Sequence, residues 1–390
     1  MNPIPRPATE RRPDLDWLRV VAILLLHLFH TGMMFNSWDW HLKAPELLPV
    51  LEPPMEFLHH VRMPLLMLIS GAVTAMALRR RGLGAFVWDR TKRLLWPLVF
   101  GIFVIVPPQI YAERLFRGTF HGGYLDFYPS VFQFVSYPAG SFSWHHLWFV
   151  AYLFIYCLLA APLFAWLETA RGRAFFERAE AWLARGWNPW LLFLPLALGR
   201  ILLRRFPETH ALTDDPNTFV YYGQLFLLGH ILGRGSRLQE RLVVMRHRSL
   251  AISGVLFALM VPSFEYPFPF EHLGTYALVW CLLLTALGYA RAHIPTRSAW
   301  VTYAQELAYP FYIFHQTVIV LVGFALLRPA VGPWTRFGLV LTLSFLVTWA
   351  LCECVKRVPW LRPCFGMAGR KPVAPGAVPT PSPLEARSGA

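Results

Sequence analysis

Charged side chains are scarce in this chain. They make up 15% of its 390 residues, against roughly 25% in an ordinary soluble domain. Acids are the scarcer sign, 22 against 36 Lys and Arg. With 56% hydrophobic residues and a mean hydropathy of +0.42, the composition excludes a water-filled surface and implies many membrane spans. Cysteine is rare too, five in all. Cys157 and Cys281 fall in apolar runs, and Cys352, Cys354 and Cys364 lack a matching Cys/His set at finger-like spacing. Reduced thiols are therefore expected, and no metal. The formal net charge of +14 does not point to nucleic acid, because the basic residues are dispersed among short segments and form no concentrated module. No solenoid repeat and no internal linker divides the chain.

What is present is a set of ten apolar runs, near 17–35, 57–78, 94–110, 147–167, 188–203, 219–233, 249–263, 272–290, 303–327 and 336–355. The fold class that follows is all-α, a polytopic integral membrane protein of about ten transmembrane helices. Several runs fall short of the roughly 20 residues of a straight span, so interfacial turns, breaks or tilt must complete them. Placing the N-terminus inside leaves 27 Lys/Arg on cytoplasmic segments and seven outside, and the positive-inside rule then sets both termini in the cytoplasm. The domain reading is a cytoplasmic segment over 1–16, a membrane domain over 17–355 and a cytoplasmic tail over 356–390. The start lacks the pattern of a signal peptide, so the first span is expected to stay, and the proline-rich tail is expected to be mostly disordered. The long outer connections, 111–146 and RRFPETHALTDDPN, bias any large-substrate surface to the outer face.

The most informative residue is His30. It lies in RVVAILLLHLFHTGMMF with His27, and Arg19 begins the run. Ionisable groups inside a membrane helix are expensive and are usually retained for a task. Eleven residues are close to three helical turns, so Arg19 and His30 share a face about 16 Å apart. The plainer alternative makes His27 a buried histidine bonded to a neighbouring helix and Arg19 a snorkelling anchor.

Other polar groups surround this pair in the sequence. Arg90 and Arg93, in RRRGLGAFVWDRTKRLLWPL, suit phosphate or pyrophosphate recognition, and equally suit topology and anionic lipid. Glu56, His59, His60 and Arg62 cluster at the outer opening of the second span. They suit the orienting of a hydroxylated acceptor, the fixing of the His30 tautomer, or a structural ion-pair network. His145 and His146 begin the fourth span, and as neighbours about 100° apart on a helix they are not expected to address one small group. In the ninth, Tyr312 and His315 are one turn apart, fit either for ligand binding or for buried hydrogen bonding, whereas Glu306 need not face with Tyr312. Pro310 is expected to kink that span or free a carbonyl.

DLDWLRVVAILLLHLFHT, the Arg90/Arg93 pair, FLHHVRMPLLMLISG, HHLWFV and ELAYPFYIFHQT together resemble the membrane acyltransferase-3 family over approximately 10–365, particularly its branch of bacterial glucan succinyltransferases. The resemblance implies transfer of an acyl group from cytoplasmic acyl-CoA, succinyl-CoA or acetyl-CoA, to a hydroxyl of a glycan or other surface carbohydrate outside the bacterial inner membrane. It places the essential histidine on His30, its paired arginine on Arg19 and the second arginine motif on Arg90 and Arg93. His59, Arg62, His146 or His145, and His315 match further branch motifs, with Tyr312 beside them as an acceptor-binding or supporting group. His30 as general base is the expected mechanism, with a transient acyl-histidine as the other route. No acidic partner for His30 is visible in the first span. Expected partners are the glycan acceptor and membrane lipids, with homo-oligomerisation open. A proton-coupled transporter or flippase for a glycan or lipid-linked precursor is the alternative of a different class.

Overall fold

The computed structural model describes residues 12–78, 82–260, 271–294, 296, 298–328 and 331–368. The N-terminal residues 1–11, the basic triplet 79–81, the outer end of the seventh run at 261–263 and the tail from 369 onward lie outside the described residues. Eleven helical segments organise what is described: α1 Pro13–Gly32, α2 Glu52–Leu78, α3 Leu83–Phe116, α4 Trp148–Leu167, α5 Ala170–Leu183, α6 Asn188–Leu202, α7 Pro216–Arg234, α8 Ser236–Met260, α9 Glu271–His293, α10 Ala299–Ala325 and α11 Pro333–Arg357. No β-strand occurs among them. The protein is an all-α, multi-pass membrane protein.

Eight helices among the described residues are long and apolar enough to cross a membrane. The two remaining apolar runs are α6 and α7. The 15 residues of α6 give about 22 Å of rise, less than a hydrocarbon core of about 30 Å, and the helix is interrupted near Leu192. The polar groups Gln224 and His230 interrupt the apolar sequence of α7.

Local signals set the helix starts. Pro13 occupies the first turn of α1, where the missing N–H is harmless, and Asp14 and Asp16 sit against the positive end of the helix. Asp215 caps α7 by accepting from the Thr218 N–H at 2.8 Å, and Ser298 caps α10 by accepting from the Val301 N–H at 3.1 Å. The first span therefore begins at Pro13, four residues before its apolar run.

Two wide π turns, Thr91–Leu95 and Gly101–Ile105, bend α3. Pro107 follows and supplies no N–H to the Phe103 carbonyl one turn back. Tyr128 Oη donates to that carbonyl at 2.9 Å, and Thr317 Oγ1 of α10 donates to the Ile105 carbonyl at 2.8 Å. Side chains thus satisfy backbone groups that lipid cannot. The irregular stretch is held against α10.

At the centre α1 packs on α2, α9, α10 and α11. His27 Nε2 lies 3.3 Å from the Leu341 carbonyl and 3.2 Å from Ser344 Oγ, both on α11. α2 and α7 approach each other closely. There the pair Gly229 and Gly233, four residues apart, meets Leu68 and Ala72: a Cβ on Gly229 would stand 2.0 Å from the Leu68 carbonyl oxygen. Small residues allow such backbone approach, which drives helix association where lipid is as apolar as leucine. Gly229→Leu is expected to lower folded yield and thermal midpoint in detergent by an amount equivalent to about 1–3 kcal/mol. Gly254→Leu, whose Cβ would meet nothing within 4 Å, serves as the control. Equal melting of the two variants would contradict the close approach.

Candidate active site

Two cavities enter the helical body. The larger, about 820 Å³, is lined by His30, His59, Arg62, His145, His146, Tyr312 and Gln316, by the aromatic residues Trp38, Trp40, Trp144 and Trp148, and by the connections 136–146 and 208–213. The smaller, about 480 Å³, is lined by Arg19, Arg90, Arg93, Arg362, Gln305, Glu306 and Tyr309. Tyr312 is the one lining residue common to both among the described residues. Arg19 and His30 share a helix yet open onto different cavities.

His30 Nδ1 stands 2.8 Å from His315 Nε2, and the two rings stack with centroids 5.0 Å apart. His315 Nδ1 is 2.6 Å from the Tyr312 carbonyl oxygen. A carbonyl only accepts, so His315 Nδ1 carries a proton and, in the neutral ring, Nε2 is the acceptor. His30 Nδ1 must then donate, which leaves His30 Nε2 with the free lone pair. This chain of donors fixes the tautomer of His30 without any acid. The outer cluster at the start of α2 does something else. Glu56 pairs with His60 at 3.0 Å, while the Arg62 guanidinium lies 3.3 Å from the centre of the Phe29 ring and donates to the Leu58 carbonyl at 3.2 Å. Arg62 is buried, and among the described residues no carboxylate pairs with it. His59 sits beside Phe29 and Trp38.

The two histidines diverge, lying in the short 3-10 turn His145–Leu147 that leads into α4, with His145 at φ +41°. His146 Nε2 donates to the Ile313 carbonyl at 2.9 Å, its ring is edge-on to His315, and the Tyr312 hydroxyl donates to the His146 carbonyl. The start of α4 therefore clamps the His315 turn of α10. His145 instead stacks on His41 at 4.8 Å. His41 Nδ1 is 2.5 Å from Glu113 Oε2, and Glu113 Oε1 takes the Tyr137 hydroxyl at 2.8 Å and Arg117 Nε at 3.2 Å. Glu113, His41 and His145 bring three possible ligand atoms within 4.8 Å of one another. The carboxylate is nevertheless fully engaged by its three partners, and the cluster is a brace between the outer loops. Gln316 Nε2 donates to Gln109 Oε1 at 3.2 Å and lies 3.1 Å from His41 Nε2, linking the brace to α10 one residue beyond His315.

Two groups outside the spans are shifted by burial. Burial lowers the His210 imidazole below its ordinary range despite Glu208 and Asp215 nearby, which favours the neutral ring. Lys43 donates to the Met33 and Asn36 carbonyls and to Asn36 Oδ1, tying down the turn after α1, and burial pushes it down to about 8.

At the smaller cavity Asp89 holds both arginines of the pair, Arg90 at 3.2 Å and Arg93 at 3.0 Å. Glu306, not expected to face with Tyr312, lines the same cavity and pairs with Lys356 at 3.0 Å and Arg362 at 3.7 Å. The chain beyond α11 does not leave the fold at 355. A short 3-10 turn, Arg362–Phe365, packs Phe365 against Phe100 and Phe314 and adds Arg362 to the lining of the smaller cavity. Arg362, Gln305, Gln316, His41 and Glu113 escaped notice in the sequence because only the tertiary fold brings them to these cavities.

Residues 12–353 match the family described as an acyltransferase domain. The chain is 23% identical to the "Glucans biosynthesis protein C" of Salmonella paratyphi A, covering 96% of this chain and 98% of that one. It is 22% identical to the protein of the same name from Escherichia coli O81, covering 93% and 95%. No solved structure matches. Glu113→Gln is expected to lower thermal stability by about 1–3 kcal/mol, because buried partners lose a charged acceptor. Asp39→Asn, whose side chain is 93% exposed, should stay within about 0.5 kcal/mol. Identical melting curves for both variants would remove Glu113 from the brace.

Proposed function

The chain belongs to the acyltransferase family that it matches over residues 12–353, and from that membership we propose that it carries an acyl group from cytoplasmic acyl-CoA to a glycan hydroxyl on the outer side of the bacterial inner membrane. The observation that carries this reading is the pair of cavities meeting at Tyr312, one rich in guanidinium groups and the other holding the free nitrogen of His30. The relatives' printed name supports a glucan as acceptor. Both termini are taken as cytoplasmic, which puts Arg90 and Arg93 on the side where the donor is supplied.

Arg19, Arg90 and Arg93 bind the negatively charged nucleotide end of the donor. The thioester reaches Tyr312 from within. On the other side an acceptor hydroxyl gives its proton to His30 Nε2 as its oxygen attacks the thioester carbonyl, and His315 stabilises the charge that His30 gains. The tetrahedral intermediate collapses, the carbon–sulfur bond breaks, and His30 Nε2 returns the proton to the CoA sulfur. Atoms balance: an ester forms, and free CoA leaves on the side it came from. Arg62, which pairs with no carboxylate among the described residues, offers a positive charge to the oxyanion, and His59, His146 and Tyr312 shape the acceptor's seat. Succinyl-CoA and acetyl-CoA both satisfy the nucleotide site.

The test is the purified protein in sealed vesicles, with either acyl-CoA on the cytoplasmic face and candidate glycans on the other, products being identified by mass spectrometry. Acylated glycan and equimolar free CoA are expected. His30→Ala should lower transfer by about 10²–10⁴-fold, the range for loss of a positioned base, with CoA binding unchanged. His315→Ala should lower kcat with little change in KM, whereas the double variant Arg90→Ala/Arg93→Ala should raise the donor KM about tenfold or more. Unchanged transfer by folded His30→Ala would overturn its role, and an acyl group trapped on His30 would replace the base mechanism. Glycan crossing without donor consumption would make the protein a transporter.

A further inference from the structure

One face of α10 runs from the inner mouth to the shared wall. Gln305, Tyr309 and Tyr312 are spaced at i, i+4 and i+7, so they form a ladder along about 10 Å of that helix. All three line the inner cavity, and the Tyr309 and Tyr312 rings are nearly parallel, 9° apart in plane. The ladder begins beside the Lys356–Glu306 pair and ends at Tyr312, next to the His30 side.

Two atoms on this ladder are buried with no hydrogen-bond partner among the described residues, Gln305 Oε1 and Tyr309 Oη. Leaving such an atom unmet away from water is costly unless something else meets it. Most of the nearby lining is apolar, including Ile23, Leu66 and Leu153. The position of Tyr309 is itself held from behind. Gly366 has φ +65°, and a Cβ there would stand 2.5 Å from Tyr309 Cε1 and 2.8 Å from the Arg93 carbonyl oxygen. The turn after α11 is thus fitted to the Tyr309 ring by a residue that tolerates both the conformation and the contact.

The two unmet atoms are complementary: a phenol hydroxyl offers a proton and a side-chain carbonyl accepts one. A secondary amide answers both, with a C=O for Tyr309 and an N–H for Gln305, and the Gln305 amide can turn to offer its NH₂ to a second carbonyl. We propose that Gln305 and Tyr309 bind the amide groups of the donor's pantetheine arm, between the nucleotide at the arginines and the thioester at Tyr312. This inference rests on the acyl-CoA reading above and adds to it the residues that recognise the linker. Binding through the arm places the sulfur at a set depth, because the ladder fixes the distance from the inner mouth.

The experiment measures binding of two probes to the full chain in lipid nanodiscs by calorimetry: CoA, and adenosine 3′,5′-bisphosphate, which has no arm. Gln305→Leu and Tyr309→Phe are each expected to weaken CoA binding about five- to twentyfold, the size of one lost buried hydrogen bond, and to leave bisphosphate binding within about twofold. Arg90→Ala/Arg93→Ala should weaken both probes. Tyr309→Phe keeps the ring, and a thermal melt equal to wild type ensures that the fold is intact. CoA binding that is equal in wild type and both variants overturns the amide contact and leaves the acyl-CoA reading standing. Equal weakening of both probes overturns it too, by moving the two residues to the nucleotide or to the fold. No CoA binding by wild type takes down the donor reading itself.

Discussion

The Tyr312 carbonyl is an acceptor that cannot become a donor, and the proposed chemistry of this protein depends on that asymmetry. It fixes the proton on His315 Nδ1, hence the lone pair on His315 Nε2, hence the direction of the bond to His30. A histidine in a membrane helix otherwise has two tautomers of similar energy and nothing to choose between them. Here the choice comes from backbone geometry. α10 is therefore more than a scaffold, because without its Tyr312 turn nothing would hold the lone pair on His30 Nε2.

Much of the surrounding structure keeps that turn in place. From the α4 side, the Tyr312 hydroxyl is taken by the His146 carbonyl and the His146 ring by the Ile313 carbonyl. From the α3 side, Thr317 reaches the carbonyl of Ile105, at the end of a π turn. Gln316 joins the His41–Glu113 brace under the outer loops. In lipid each such contact answers a polar group that has no water to turn to. Satisfying the backbone and positioning the histidines are accomplished by the same bonds.

The spans and the ionisable positions were legible in the sequence, since apolar runs and intramembrane histidines are strong local signals. His30, His315, His146, Arg62 and Arg90 could all be singled out that way. What local pattern cannot carry is which of them meet. The partner of His30 lies 285 residues away, while the acidic and histidine cluster on the neighbouring helix, closer in sequence, holds other contacts. Arg19 and His30 share a face by periodicity, but a face three turns long passes from one cavity to another. The tail was read by its prolines, and the apolar residues of VPWLRPCFGM, which tie 358–367 into the inner cavity, were outweighed by the composition that follows. Gln305 and Gln316 are neutral amides, and nothing local marks a neutral amide until the fold sets it beside a cavity.

A wall shared by two recesses also shapes the electric field. Where polar cavities enter from both faces, a membrane voltage no longer falls over some 30 Å of hydrocarbon but is concentrated on the insulating layer between them. Tyr312 is the described residue that lines both recesses. In the proposed reaction, an acyl group bearing a negative charge that moves outward past this residue from an inside-negative compartment runs down the voltage, a gain of about 2.3 kcal/mol per 100 mV. A neutral acyl group gains nothing. Under that proposal the shared wall couples the energetics of transfer to the charge of the group transferred.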